Sequence, residues 1–241
     1  LLSGEKRICF SMTEKASGAD ATGMQTTAVK DGNENYILNG EKWFSSSASV
    51  ANLALVMAKT DPTAPRHKQF STFIVELPNP GYRIKRNIKN MAIEGAHYDV
   101  LAGGHSEIEI KDLKVPADNL LGGEGNGFAM GQHRLAYGRL RHGMHNVAMA
   151  QRALDMAVAH ITQRKTFGQL VSDRQAVQFM VAECASQLYM ARLMLLHIAY
   201  KAEKGMDLRQ ENSIAKVYLA NMVHHVVDTA IQLHGALGYS T

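Results

Sequence analysis

The first half of the chain is dominated by short runs in which apolar and polar residues alternate. Residues 82–86 and 106–111 alternate residue by residue, and the runs 8–12, 26–29, 53–59 and 70–77 are rich in apolar or β-branched residues. Turn signals such as Asp31-Gly32 and Asn79-Pro80-Gly81 separate these runs. Several short strands at this spacing are typical of a β-barrel or β-sandwich. The pattern therefore predicts a β domain, which we place at residues 1–122.

Helical periodicity replaces this alternation after the glycine-rich loop 121–127. Residues 128–164 are rich in Ala, Leu, Met and Arg, which favour helices. A capping-box pattern from Ser172 to Gln175 precedes an apolar stripe over residues 177–198, and a further stripe runs from 214 to 233. Three long helices with short connections pack as an antiparallel bundle. The sequence thus predicts an α+β chain, with a β-barrel-like domain at 1–122 followed by a helical bundle at 123–241.

Residues 36–47 combine strand, turn and aromatic signals. Asn39-Gly40 predicts a type I′ hairpin turn, because both positions tolerate positive φ. Trp43 and Phe44 follow, and then three consecutive serines. A flat aromatic surface beside hydroxyl groups can hold a planar ring that has polar edges. The alternative is an ordinary hairpin whose aromatic side chains pack in a core.

Composition narrows the class of protein. The 241 residues are 46% hydrophobic and 20% charged, which is typical of a folded globular protein. The net charge is +4, but the cations alternate with acids, so we expect no nucleic-acid partner, and a mildly basic surface suits a phosphate-bearing ligand. No apolar run approaches about 20 residues, so we expect no membrane span. Two cysteines form no disulfide framework, which fits an intracellular reducing compartment, cytoplasm or mitochondrion.

Two segments could bind phosphate. The glycine-rich loop 122–127 opens a helix but lacks the Lys-Ser/Thr of a P-loop, so an interdomain turn is the alternative. Residues 163–168 join two helices and carry two cations, a hydroxyl and an aromatic. The cations either complement a helix C-terminus or hold a pyrophosphate, with Phe167 against an adenine. The histidines lack the Glu-x-x-His spacing of a di-iron bundle, so we expect no metal site.

In this order the motifs resemble those of the acyl-CoA dehydrogenase family across nearly the whole chain. Residues 12–20 resemble its flavin and acyl-CoA loop, 39–46 its flavin-facing hairpin, and 115–122 its exit from the β domain. Residues 150–155, 163–168 and Gln175 resemble its helical domain, and 232–239 its flavin-contacting turn. The stretch Trp43 to Ser46 and Gly103-Gly104-His105 resemble the branch sometimes fused to a phosphotransferase-like kinase domain.

The resemblance implies that FAD removes hydride from Cβ of an acyl-CoA thioester while a carboxylate removes the α proton. Thr13 and Ser46 would bond the isoalloxazine edge, and Phe44 would pack on the ring. Arg164 and Thr166 would meet the pyrophosphate. The cofactor-binding residues that the resemblance implies are Phe10, Met12, Thr13, Gly18, Phe44, Ser45, Ser46, Arg164, Thr166, Phe167, Gln175, Gln232, Gly235 and Ala236.

The resemblance also implies partners. In the family, segments matching 164–168 and 232–238 reach the flavin of a neighbouring subunit, so we expect a homodimer or homotetramer. An electron-acceptor flavoprotein is expected as well. Ala19 and Arg139 are expected to lie near the acyl-CoA substrate.

The sequence departs from the family pattern at several positions. Lys15 replaces the usual Pro, and Ala19 replaces the usual Ser. Gly138 stands where some members carry a catalytic Glu before an Arg, and we assign no catalytic residue. The family's N-terminal helical domain would precede Leu1 and its catalytic carboxylate would follow Thr241, so we expect a fragment that is inactive alone. The alternatives are an acyl-CoA oxidase or nitroalkane-oxidase-like protein, or a non-catalytic flavin-binding or assembly module.

Overall fold

The computed structural model describes residues 1–89 and 103–240. They form two compact units, Leu1–Gln132 and His133–Thr241. The first unit is built from strands, and the second is built from helices. The predicted α+β architecture is therefore confirmed.

The first unit contains one mixed sheet. Its strands are β1 (Ile8–Ser11), β2 (Thr27–Asp31), β3 (Asn35–Ser46), β4 (Leu53–Lys59), β5 (Phe70–Glu76), β6 (Tyr82–Asn87), β7 (His105–Pro116) and β8 (Leu120–Leu121). In the described part of the unit their order is β6-β7-β3-β2-β4-β5-β8, with β1 pairing β4 in parallel. β2 also runs parallel to β4, whereas the other neighbours are antiparallel.

The inner face of this sheet forms the core of the unit. Burial alternates along much of β3, as expected for a strand with one face on a core, whereas β4, β5 and β7 also contain consecutive buried residues. Tyr36 on β3 and Phe73 on β5 lie with ring centroids 5.0 Å apart, although β2 and β4 separate their strands in the sheet. The sheet therefore curls around its core, which brings distant strands into contact.

The dipeptide Asn39-Gly40 does not form the predicted turn, and that expectation was wrong. It lies within β3, which runs without interruption for 12 residues. The hairpin turn between β2 and β3 comes earlier, after Asp31. A Cβ on Gly40 would lie 2.5 Å from Thr26 Oγ1, so close strand approach explains the glycine. The Asn39 side chain accepts a hydrogen bond from the Asp112 N–H at 2.8 Å, where β7 carries an extra residue.

The second unit consists of long helices. They are α1 (Gly127–Ile161), which starts in the first unit, α2 (Gln175–Glu203), α3 (Arg209–His234) and the short α4 (Ala236–Tyr239). Between α1 and α2 lies a small hairpin of β9 (Lys165–Thr166) and β10 (Gln169–Leu170). Apolar stripes of the three long helices share one core that includes Leu154, Leu188 and Leu219. The predicted capping box is wrong, because Ser172 lies in a 3-10 turn and makes no cap bond to α2.

Helix α2 is long and apolar enough to cross a membrane by length and composition alone. Core helices of globular proteins meet the same test, and α2 places Cys184, Leu188 and Leu195 in the core shared with α1 and α3. The expectation of no membrane span stays a prediction. Cys9 and Cys184 are both buried free thiols.

Candidate functional site

A bulge in β3 creates the first part of the site. Between Lys42 and Ser45, β3 contains one residue more than β7, and Phe44 takes up the difference with φ of +54°. The buried positions therefore change from even to odd numbers along the strand. Ser45 is fully buried, while Phe44 is 44% exposed and Ser46 is exposed. One strand thus presents an aromatic ring and a hydroxyl to solvent side by side.

A chain of buried hydroxyl groups stabilises the bulge on its core side. Ser45 Oγ lies 2.9 Å from Ser11 Oγ, which lies 2.8 Å from Tyr82 Oη. Tyr82 Oη in turn lies 3.7 Å from Cys9 Sγ. Burial raises the pKa of both Tyr82 and Cys9, so both stay protonated. Ser45 is predicted to bind cofactor, but its hydroxyl points into the protein interior and hydrogen-bonds Ser11 there.

A buried ion pair fixes the loop that follows β1. Lys42 is fully buried, and its Nζ donates to Glu14 Oε1 at 2.8 Å and to the Met12 carbonyl at 3.1 Å. Glu14 also accepts from the Gln25 and Thr26 backbone N–H groups. Burial lowers the pKa of Lys42 to about 8, although Glu14 opposes the shift. Burial alone would raise the pKa of Glu14, but the Lys42 charge and the backbone donors lower it. We take the pair as charged at neutral pH.

A second carboxylate gathers three cations beside the bulge. Glu107 is 5% exposed and accepts from Lys15 at 2.6 Å and from Arg86 at 2.7 Å, with Lys85 at 3.8 Å. Hydrogen bonds from Lys15 and Arg86 lower the pKa of Glu107 to about 2. Lys15 and Arg86 also lie over the Trp43 ring, 4.9 and 5.5 Å from its centroid. This cluster ties the loop after β1 to β6 and β7.

The other predicted residues of the first unit lie along the same loop. Phe10 and Met12 are half-buried against a small cluster of Met24, Met57 and Phe70. The Thr13 carbonyl accepts from the Trp43 N–H at 2.7 Å, so the loop runs beside β3. Gly18 and Ala19 are exposed. The first unit therefore brings Phe10, Met12 and Thr13 together with Phe44, Ser45 and Ser46.

The second unit has a cavity of about 390 Å³ that collects most of its predicted residues. Arg164, Thr166, Gln232, Gly235 and Ala236 all line it. The lining also includes two histidines, His160 and His234, whose rings stack with centroids 4.9 Å apart. Cationic, hydroxyl and amide groups over a glycine-containing turn suit a phosphate-bearing ligand.

Three predicted residues of the second unit lie outside the lining of this cavity. Phe167, at the tip of the β9–β10 hairpin, is 99% exposed with φ of +51°, and Arg174 lies over its ring at 5.7 Å. Gln175 is the exposed first residue of α2. Arg139 is half-buried on α1 after Gly138, whose Cβ position faces open space.

Sequence reasoning missed several residues that shape these sites. In the sequence Lys42 is simply a residue of the Asn39-Gly40 motif, and the spacing of Glu14 and Lys42 gives no sign that they pair across 28 positions. Glu107 looked like one polar position in an alternating strand. The sequence shows His105 only as part of the motif Gly103-Gly104-His105, yet its Nδ1 lies 2.8 Å from Ser46 Oγ. The two glycines directly before His105 are the one feature of the sequence that points to a constrained position for this histidine.

The glycine-rich loop has a structural explanation. A Cβ on Gly125 would lie 2.8 Å from the Lys68 carbonyl oxygen, and one on Gly127 would lie 2.7 Å from the Ser71 carbonyl carbon. The Gly125 N–H donates to Ser71 Oγ at 2.9 Å. These glycines therefore let the loop approach β5 closely.

Comparison with known proteins supports the reading of both units. Residues 9–112 match the acyl-CoA dehydrogenase middle domain, and residues 125–241 match the acyl-CoA dehydrogenase C-terminal domain. The chain is 38% identical to chicken (Gallus gallus) acyl-CoA dehydrogenase family member 11, across 100% of this chain and 31% of that protein. It is 35% identical to the caffeyl-CoA reductase-Etf complex subunit CarC of Acetobacterium woodii, across 99% of this chain and 61% of that protein.

A solved structure agrees with these matches. Butyryl-CoA dehydrogenase from Megasphaera elsdenii superposes with a TM-score of 0.91 at 31% identity, covering 99% of this chain and 60% of that one. The chain therefore spans less than two thirds of the proteins it matches. Two family domains in the same order, with the same fold, account for nearly all of the sequence. This chain belongs to the acyl-CoA dehydrogenase family.

Proposed function

We propose that this chain is the flavin-binding part of an FAD-dependent acyl-CoA dehydrogenase. The observation that carries the proposal is the β3 bulge, which turns the Phe44 ring and the Ser46 hydroxyl outward together. A planar heterocycle needs an apolar face to stack on and a polar partner at its edge, and these two side chains supply both. FAD, when bound, supplies the hydride-accepting ring, while the protein supplies orientation.

The chemistry of the second unit fits the diphosphate end of the same cofactor. Arg164 and Thr166 line a cavity whose lining also includes the small residues Gly235 and Ala236. A guanidinium binds phosphate oxygens through charge-assisted hydrogen bonds. We assign this cavity to the pyrophosphate of a neighbouring subunit's flavin, with Gln232 beside it and the exposed Phe167 ring against the adenine.

We assign Gly18, Ala19, Gln175 and Arg139 supporting positions. Gly18 and Gln175 would border the cofactor, and Ala19 and Arg139 the acyl-CoA. The domain limits that go with this proposal are 1–122 for the flavin and acyl-CoA domain and 123–241 for the bundle.

The α proton of a thioester requires a base within about 2.6–3.2 Å. The carboxylates of the loop after β1 already have partners, since Glu14 pairs with Lys42 and Asp20 with Arg66. Gly138, ahead of Arg139, has no side chain. We therefore assign the base to none of these positions. The loop after β1 has a structural role, in shaping the site.

Assembly and electron transfer complete the proposal. An exposed apolar stripe on α2 follows helical spacing through Tyr189, Leu193, Leu196 and Tyr200, each 48–66% exposed. Such a stripe supports a homodimer or homotetramer. A relative named as a subunit of a reductase-Etf complex supports an electron-acceptor flavoprotein as the redox partner.

The test is an absorbance spectrum of the purified full-length protein, followed by anaerobic addition of a panel of acyl-CoAs. We expect a flavin spectrum that one or more acyl-CoAs bleach. A protein that neither carries nor takes up FAD contradicts the proposal. Rapid reoxidation of the bleached flavin by oxygen would instead identify an oxidase.

A further inference from the structure

The motif Gly103-Gly104-His105 has a left-handed backbone geometry that favours glycine. Gly103 and Gly104 have φ of +73° and +56°. Their carbonyls accept from Ser49 Oγ and from the Ser47 N–H, each at 2.8 Å. A Cβ on Gly103 would lie 2.5 Å from Ser49 Oγ. The two glycines therefore clamp the start of β7 onto the turn that follows β3.

This clamp fixes the position of His105. In the register of β3 and β7, His105 lies opposite Ser46, and its Nδ1 is 2.8 Å from Ser46 Oγ. Its ring centroid is 5.8 Å from that of Phe44, with the planes tilted by 56°. His105 thus touches both outward groups of the bulge, the ring and the hydroxyl.

A hydroxyl has one proton and two acceptor lone pairs, so its partner decides what it offers elsewhere. Where Nδ1 accepts, the Ser46 O–H donates to the imidazole, and Ser46 Oγ presents only lone pairs to a ligand. Where Nδ1 carries a proton and donates, the Ser46 proton is available to the ligand. Oxidised flavin accepts hydrogen bonds at N5, whereas reduced flavin donates from N5. The two arrangements therefore favour different redox states.

We propose that His105 is a positioning residue of the flavin site, which sets the direction of the Ser46 hydroxyl proton and thereby the redox equilibrium of the bound flavin. The inference rests on the proposed function, because it needs a flavin beside Ser46. It explains why two left-handed glycines precede this histidine, since they deliver the imidazole to the bulge.

The experiment measures the midpoint potential of the bound flavin in the full-length protein and in three variants, His105→Ala, Ser46→Ala and the double variant. We expect His105→Ala to change the equilibrium constant for flavin reduction by roughly fivefold, the size of one net hydrogen bond. In the Ser46→Ala background the same change should have no further effect, because His105 acts through Ser46.

Two further variants separate positioning from a loss of folding. His105→Asn keeps a hydrogen-bonding atom near the Nδ1 position and should restore much of the potential. His67→Ala removes another imidazole of the first unit, one stacked on Phe128 at 4.6 Å, and should leave the potential unchanged. Urea unfolding of each variant reports stability separately.

The outcomes distinguish the two proposals. A wild-type protein that takes up no FAD overturns the proposed function and this inference together. A wild-type protein with bound FAD whose potential is the same in His105→Ala overturns this inference alone. An additive effect of the two alanine changes also overturns it, because His105 would then act without Ser46.

Discussion

Lys42 is one of the largest fully buried side chains in the described core, and it carries a charge. Moving an ammonium group from water into a protein interior costs on the order of several kcal/mol, unless a counter-charge and hydrogen bonds replace its water. Glu14 and the Met12 carbonyl do so here, and Glu14 itself is held by two backbone N–H groups. The pair joins the loop after β1 to the strand that carries the bulge, so its strength controls the shape of the site.

We predict that Lys42→Met destabilises the protein by about 3–5 kcal/mol, because it leaves the Glu14 charge buried without its cation. Urea unfolding at neutral pH measures the change. Lys30→Met is the matched control, since Lys30 pairs with Glu124 on the surface and should change stability little. Equal effects of the two substitutions would contradict the assignment of Lys42 as a buried structural cation.

Two glycines of α1 give a second residue-scale prediction. A Cβ on Gly138 meets open space, whereas one on Gly143 would lie 2.7 Å from Leu219 Cδ1 and 2.8 Å from Leu195 Cδ2. Gly138→Ala should stabilise the protein by about 0.5–1 kcal/mol through helix propensity. Gly143→Ala should lose that gain and about 1–3 kcal/mol more to overpacking. Thermal unfolding compares them, and a destabilising Gly138→Ala would refute the open space beside α1.

At the scale of elements, periodicity predicted strands and helices well, and the turn signals at Asp31-Gly32 and Asn79-Pro80-Gly81 also fall at turns between strands, whereas Asn39-Gly40 does not. The apolar positions of α2 and α3 repeat at helical spacing over many residues, so one polar residue in the series does not obscure the pattern. Asn39-Gly40 has the composition of a turn, but its conformation is set by Thr26 and by Asp112 on another strand. Strand partners far along the sequence decide where a bulge forms. Neither bulge in the β3–β7 pair could therefore be predicted from the sequence.

The Glu107 cluster links three elements and should respond to acid. Lys15 and Arg86 lower the pKa of Glu107 from 4.5 to about 2, so the unfolded chain takes up a proton before the folded one. The stabilisation is complete above pH 4.5 and is lost as the pH falls through about 2. Urea midpoints of wild type and Glu107→Gln should therefore differ above pH 4.5 and converge below it.

Glu109→Gln is the control for this titration. Glu109 lies on the same strand and pairs with Arg83 at 3.4 Å, but its side chain is 37% exposed. Its difference from wild type should be small at every pH. A constant gap between Glu107→Gln and wild type across the acid range would show that Glu107 is not held ionised by its cations.

At the scale of the whole molecule, the candidate site residues form two groups, one in each unit. The aromatic and hydroxyl groups belong to the first unit, and the phosphate-compatible cavity belongs to the second. The order of motifs predicted both groups of residues from the sequence, and their role in binding stays a prediction. It did not reveal that Ser45 faces inward or that His105 bonds Ser46, because these depend on register between β3 and β7.

We predict that Arg164→Ala weakens FAD binding by about tenfold to a hundredfold, through loss of a charge-assisted hydrogen bond. Flavin retention during dialysis of the full-length protein measures this, with light scattering on the same samples. Arg209→Ala, at the opposite end of α3 from the cavity, is the control and should retain flavin normally. A flavin-loaded monomer in solution would contradict a cavity that serves a neighbouring subunit.

The extra residue at Phe44 determines which residues at the end of β3 face the core. Before the bulge even-numbered residues of β3 face the core, and after it odd-numbered residues do. A one-residue slip of register that removed the bulge and kept every residue would restore strict alternation, turn Phe44 and Ser46 inward and turn Ser45 outward. Such a slip would therefore abolish the pairing of an outward ring with an outward hydroxyl while leaving every side chain in the sequence.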